Sequence, residues 1–189
     1  MPPRRVWLDV DTGIDDAHAI LLALRSPELD VIGISCVAGN ADVDTVVAST
    51  LKVLDAAGAP HDLLVARGCS HPLVEALHPC PEIHGADSLG DLTPAFPASS
   101  RAVRPGHAVD YLLKALQSSP APVTIVALAP LTNLAHAFRS DPGAFSSVDR
   151  IMWMGGAVAG GGNATAWAEA NAFYDPEAAH VMLTSGEHA

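Results

Sequence analysis

The sequence predicts an α/β fold in which a mostly parallel, open sheet carries helices on both faces. Short runs rich in β-branched residues alternate along the chain with segments typical of helices, and strands joined through helices pair in parallel. Cap residues mark helix ends, such as Gly58 after one helix and Asp175-Pro176 before another. The composition, 49% hydrophobic and 16% charged over 189 residues, suits one compact domain covering residues 1–189.

The elements are predicted in a regular order. Five apolar runs are assigned to strands: Val6–Val10, Val31–Val37, Leu63–Ala66, Val123–Leu128 and Val148–Met154. The predicted helices cover Ala17–Leu24, Val43–Ala57, 107–117 and Leu131–Phe138, and a last helix starts at Asp175-Pro176-Glu177. Residues 69–105 contain six prolines and are predicted to be irregular, and five glycines make Gly155–Gly162 a flexible segment.

Charge and cysteine content narrow the possible partners. The net charge is −11, with 10 basic and 21 acidic residues, which argues against nucleic acid or an anionic membrane surface as a partner. A metal cation or a neutral polar ligand is compatible with it. The three cysteines give neither a disulfide framework nor zinc-ligand spacing. No signal peptide or run long enough for a membrane span is evident, so we expect a cytoplasmic protein.

The most informative stretch is LDVDTGIDDAHAI, residues 8–20, which places four aspartates in eight positions. Acidic capping of a helix explains one or two of them. The pattern Asp9-Val10-Asp11-Thr12 also resembles the first motif of haloacid-dehalogenase-like phosphatases, which use Mg²⁺, although both lysines, Lys52 and Lys114, fall inside predicted helices. A third interpretation is a hard cation held by clustered carboxylate oxygens.

Several segments together resemble one family. DVDTGIDD is similar to the DxDxxxDD signature of the calcium-dependent, inosine-uridine preferring nucleoside hydrolases. Further similar segments follow in the family's order across residues 6–180: VAGN (37–40), IHG (83–85), LTN (131–133), MGG (154–156), GNAT (162–165), AEAN (168–171) and DPEAA (175–179). The resemblance implies a Rossmann-like fold and hydrolysis of the N-glycosidic bond of ribonucleosides to ribose and free base.

The resemblance also implies roles for individual residues. Ca²⁺ would be bound by Asp11, Asp16 and the carbonyl of Leu128, with Asp11 also accepting a proton from the attacking water. The ribose would be bound by Asp15, Asn40, Asn163, Glu169 and Asn171. His84 would lie near the departing base, and Met154 would form a pocket wall. Asp9 would be buried beside Asp11 without contacting the ligand itself.

Members of this family are usually longer chains, so the resemblance covers their N-terminal and central part. The part without a counterpart here normally brings a histidine on the base side and an aspartate that completes the calcium shell. Two versions therefore stay open: an active nucleoside hydrolase, and a weakly active or inactive chain that binds calcium or ribose. A homo-oligomer is also a possible assembly.

Overall fold

A five-stranded parallel sheet forms the centre of the molecule. The computed structural model describes residues 2–92 and 95–185. The strands are β1 (Arg4–Val10), β2 (Leu29–Cys36), β3 (Val65–Arg67), β4 (Val123–Ala127) and β5 (Val148–Trp153). They are arranged in the order β3-β2-β1-β4-β5, and every neighbouring pair is parallel. The predicted α/β class is confirmed.

Helices connect the strands and follow the last one. They are α1 (Ile14–Arg25), α2 (Val43–Ala57), α3 (Pro81–His84), α4 (Ala108–Ser118), α5 (Thr132–Ser140), α6 (Ala170–Tyr174) and α7 (Pro176–Thr184), with a 3-10 helix over Pro142–Ser147. The short helices α3 and α6 were not predicted from the sequence. Within the described ranges, no helix is both long and apolar enough to cross a membrane.

Local chemistry sets the helix ends. Asp42 caps α2 by accepting hydrogen bonds from the backbone N–H groups of Asp44 and Thr45, and Gly58 ends the same helix in the left-handed region at φ 63°. Helix α1 starts three residues earlier than predicted, at Ile14, because the Asp16 carboxylate accepts a hydrogen bond from the backbone N–H of Gly13. This bond places the acidic residues of the opening motif in the first helical turn, where the helix dipole favours negative charge.

The two faces of the sheet are buried by different helices. Along β1, Val6, Leu8 and Val10 pack with α1 and α2, whereas Trp7 packs with α4, α5 and α7 on the other face. This alternation is the period of two expected of a strand. Asp9 has the same parity as Trp7, so a carboxylate sits in the row of a fully buried tryptophan.

The strand order places a crevice at one edge of the sheet. Chain order runs outward from β1 to β3 in one direction and from β4 to β5 in the other, so the direction reverses between β1 and β4. In open α/β sheets, ligands bind at this reversal, outside the carboxyl ends of the strands. Asp11 follows β1 and Leu128 follows β4 at that point.

Candidate active site

A cleft of about 250 Å³ opens at the carboxyl edge of the sheet. It is lined by Asp11, Asp15, Asn40, Cys80, Ile83, His84, Leu128, Met154, Asn163, Glu169, Ala170, Asn171 and Tyr174. The structure thus gathers the site residues predicted from the sequence into one place, with two exceptions. Asp9 and Asp16 do not line the cleft but are buried next to it.

Asp11 and Asp16 each use one carboxylate oxygen in the fold and leave the other free. Asp11 Oδ2 accepts a hydrogen bond of 2.9 Å from the backbone N–H of Asn40, and Asp16 Oδ2 accepts one of 2.9 Å from Gly13. Asp11 Oδ1 and Asp16 Oδ1 are buried without a hydrogen-bond partner. Gly39 permits this packing, since a Cβ there would lie 2.1 Å from Asp11 Oδ2.

Asp9, the last residue but one of β1, is fully buried inside the sheet. Its Oδ1 accepts hydrogen bonds from the Ser35 hydroxyl and from Asn133 Nδ2, the latter at 2.8 Å. Its Oδ2 has no partner. In a phosphatase of the kind considered above, Asp9 would be the nucleophile, yet it is fully buried and absent from the cleft lining. The position of Asp9 therefore gives that alternative no support.

Burial makes the charged forms of these acids unfavourable in the metal-free chain. Burial raises the pKa of Asp9 to about 7, and burial together with the neighbouring carboxylates raises the pKa of Asp11 to about 7. The pKa of Asp16 is raised well above 3.8 by the same causes. A cation near the free oxygens would offset both the burial and the mutual repulsion.

The donor set suits a hard cation, because carboxylate and carbonyl oxygens are the ligands such ions prefer. The Leu128 carbonyl lines the same cleft and accepts one hydrogen bond, of 2.9 Å, from Asn171 Nδ2. A carbonyl oxygen has a second lone pair available. Among residues 2–92 and 95–185, no three His, Cys, Asp or Glu side chains converge as a ready-made metal cluster. Asp11, Asp16 and Leu128 would therefore form a partial shell.

Glu169 and Asn171 form a further part of the cleft wall. Asn171 Nδ2 joins the ends of β4 and β5 by donating to the carbonyls of Leu128 and Met154, both at 2.9 Å. Glu169 caps α6 and also accepts a bond of 2.8 Å from the backbone N–H of Gly156. These bonds hold the wall in place, and the Oδ1 atom of Asn171 keeps free accepting capacity.

The remaining predicted residues lie at the rim. Asn163 is exposed, and its Oδ1 accepts a bond of 2.8 Å from the backbone N–H of Ala170. Met154 is 43% exposed. His84 Nδ1 accepts a bond of 3.3 Å from Ile14 N–H and lies 4.0 Å from Asp15 Oδ1. In the neutral imidazole this acceptor role leaves the proton on Nε2.

Sequence reasoning missed several residues of the site. Ile83 and Ala170 line the cleft and stood inside the family-like motifs without a role. Cys80 and Tyr174 also line it, and no pattern in the chain marked them. Asn133, the last residue of the LTN motif, is fully buried and supports Asp9. Its position in the LTN motif was the sequence feature that could have marked it as part of the site.

Fold and site together define a class of protein. A parallel α/β sheet carries, at its direction reversal, a cleft of carboxylates and amides whose lining residues include neither lysine nor arginine. Such a cleft suits a polyhydroxyl compound and a cation rather than an anion.

Comparisons with known proteins identify the family within this class. Residues 6–189 match the profile of the inosine-uridine preferring nucleoside hydrolases, and the chain belongs to that family. Uridine nucleosidase 1 of Arabidopsis thaliana is 41% identical over 97% of this chain and 54% of its own length. Pyrimidine-specific ribonucleoside hydrolase RihA of Citrobacter koseri is 44% identical over 96% of this chain and 57% of its own length.

The fold agrees with solved structures. A plant nucleoside hydrolase, the PpNRh1 enzyme, superposes with a TM-score of 0.91 at 42% identity, covering 98% of this chain and 58% of that one. The chain thus spans somewhat more than half the length of the relatives it matches. Nucleoside hydrolases are in general metal-dependent.

Proposed function

We propose that this protein hydrolyses the N-glycosidic bond of ribonucleosides, releasing ribose and the free base, with Ca²⁺ as cofactor. The observation that carries the proposal is the pair of buried aspartates at the cleft, Asp11 and Asp16. In each carboxylate one oxygen accepts a backbone hydrogen bond and the other has no hydrogen-bond partner. The names of the Arabidopsis and Citrobacter relatives make uridine the first substrate to test.

The calcium ion would be held by the free oxygens of Asp11 and Asp16 and by the Leu128 carbonyl. When bound, it supplies positive charge that neutralises the carboxylates and makes a nearby water more acidic. These ligands come from the ends of β1 and β4 and the first turn of α1, which meet at the reversal of strand direction.

The chain's own groups would divide the work around the sugar. Asp11 accepts the proton of the attacking water through its carboxylate. Asp15 and Asn40 bind ribose hydroxyls on one wall, and Asn163, Glu169 and Asn171 bind them on the other. The transition state for glycosidic cleavage carries positive charge on the sugar, which the carboxylates stabilise.

His84 and Met154 would face the base side of the cleft. With Nδ1 occupied by the Ile14 N–H, the neutral His84 ring carries its proton on Nε2 and can donate a hydrogen bond from Nε2 to a departing base. Met154 would provide an apolar, adaptable surface for the same group.

The test is ribose release from uridine and inosine by the purified chain, with Ca²⁺ and then with excess chelator. We expect chelator-sensitive release, and a loss of about 10²-fold or more in Asp11→Asn, since the general base is removed. Asp110→Asn is the matched control, because Asp110 is exposed on α4 and lies outside the cleft. Ribose release by Asp11→Asn at the unmodified rate would refute the proposal.

A second candidate function is binding of calcium and ribose without turnover. One observation favours it: the described residues provide no third carboxylate, histidine or cysteine converging with Asp11 and Asp16. Calorimetry would decide for this candidate if a folded chain bound Ca²⁺ and ribose but released no ribose from uridine or inosine.

A further inference from the structure

Two side chains of the cleft wall are linked by a hydrogen bond that the proposed chemistry does not use. Cys80 Sγ donates to Asn40 Oδ1 at 3.2 Å, and the backbone N–H of Cys80 donates to the Asn40 carbonyl at 3.1 Å. Tyr174 lines the same cleft. Cys80 is 5% exposed and Tyr174 is 7% exposed, so water competes little for these bonds.

This arrangement fixes which end of the Asn40 amide faces which neighbour. The thiol donates to Oδ1, so Nδ2 is left on the side of Asp11, 3.4 Å from its backbone carbonyl. Rotating the amide by half a turn would replace the S–H···O bond with a weak N–H···S contact. It would also set the amide oxygen against the Asp11 carbonyl oxygen. The second contact would pair two acceptors, so the observed orientation is favoured.

The same cysteine also anchors the segment that carries His84. Cys80 is the residue before α3, and its carbonyl accepts hydrogen bonds from Ile83 N–H at 3.1 Å and His84 N–H at 3.3 Å. Cys80 therefore joins the loop after β2 to helix α3 at one point of the cleft wall. Tyr174, the last residue of α6, lines the same cleft.

We propose that Cys80 is a positioning residue that, together with the Asp11 carbonyl, sets the amide orientation of Asn40 and so presents an N–H donor to a ribose hydroxyl. The proposal rests on the proposed function for the identity of the ligand. Its structural part, the orientation of Asn40, does not depend on turnover.

Kinetics of Cys80 variants test the effect on the ligand. Cys80→Ala should raise the KM for uridine, or the Kd for ribose, about 2- to 12-fold, the size of one lost hydrogen bond. The value of kcat should change much less. Cys80→Ser keeps a donor and should restore most of the affinity. Cys69→Ala is the matched control, because Cys69 is a buried thiol outside the cleft lining.

A double variant separates positioning from general damage. If Cys80 acts through Asn40, Cys80→Ala in the Asn40→Ala background should add no further loss of affinity. Additive losses in the double variant would overturn the proposal. So would a Cys80→Ala variant with the KM or Kd of the Cys69→Ala control.

An NMR measurement judges the proposal without any substrate. The side-chain amide signals of Asn40, identified by their disappearance in Asn40→Ala, should shift in Cys80→Ala and stay close to their original positions in Cys69→Ala. If the chain neither binds ribose nor cleaves uridine, the proposed function fails, and this shift alone supports the orientation of Asn40. Unchanged Asn40 signals in Cys80→Ala would overturn the proposal in either case.

Discussion

Replacing Asn133 with alanine tests whether one buried amide holds the aspartate cluster together. Asn133 is fully buried. Its Nδ2 donates to Asp9 Oδ1 at 2.8 Å and to the Cys36 carbonyl at 3.3 Å, and its Oδ1 accepts from the backbone N–H of Cys69 at 2.9 Å. The substitution would leave the Cys69 N–H unpaired and remove one of the two donors to Asp9.

The expected loss follows from these contacts. The unpaired Cys69 N–H costs about 1–3 kcal/mol and the lost bond to Asp9, which keeps Ser35 as a donor, about 0.5–1.5 kcal/mol, so the two together cost about 1.5–4.5 kcal/mol of unfolding free energy. This is a large part of the roughly 5–15 kcal/mol that stabilises a typical domain. For a chain of this length, a loss of about 3 kcal/mol lowers Tm by roughly 6–12 °C.

Thermal and urea unfolding followed by circular dichroism would measure the loss. Asn163→Ala is the matched control, since Asn163 is exposed and should change the unfolding free energy by less than about 1 kcal/mol. Asn133→Leu keeps a side chain branched at Cγ and leaves no cavity, so it separates the lost hydrogen bonds from a cavity effect. If Asn133→Leu were as stable as the unmodified chain, or if Asn133→Ala matched the Asn163→Ala control, the reasoning would be refuted.

Two further predictions concern stability. Burial raises the pKa of Asp9 from 3.8 to about 7, so its protonated form stabilises the metal-free fold fully below about pH 4, and this stabilisation is lost as the pH rises through about 7. In chelator, Tm should therefore fall between about pH 4 and 7, and Ca²⁺ should restore more of it at the higher pH; a flat Tm profile would contradict this. Arg101, whose side chain is 4% exposed, donates to Asp55 at 2.6 Å and to the carbonyls of Ala59 and Pro60. Arg101→Ala should cost about 2–4 kcal/mol in urea unfolding, and Arg101→Lys should recover less than half, because an ammonium cannot reproduce the guanidinium fork; full recovery by lysine would show that charge alone matters.

Elements with strong local signals were predicted well. Helix α2 has the predicted bounds, Val43–Ala57, because Asp42 and Gly58 terminate it through contacts with adjacent residues. Helix α7 starts where Asp175 and Pro176 indicated. Helices α3 and α6 have four and five residues and were missed, since one turn is too short to show a helical period.

Bonds across long sequence separations could not be predicted in the same way. The bond from Asn133 to Asp9 joins residues 124 positions apart, and the bond from Cys80 to Asn40 joins residues 40 positions apart. No local pattern carries such a pairing. Sequence reasoning therefore left residues such as Asn133 and Cys80 without a role, because their partners lie far away in the chain.

By itself the sequence determined the alternation of strands and helices, the placement of acidic and amide residues after strands, and the resemblance to one family. These properties depend on residues near one another in the chain. Only the tertiary structure decided the strand order β3-β2-β1-β4-β5, and with it the meeting of Asp11 and Leu128 at the reversal of strand direction. It also decided which oxygen of each aspartate is held and which is free, because burial and hydrogen bonding depend on the packing of distant segments.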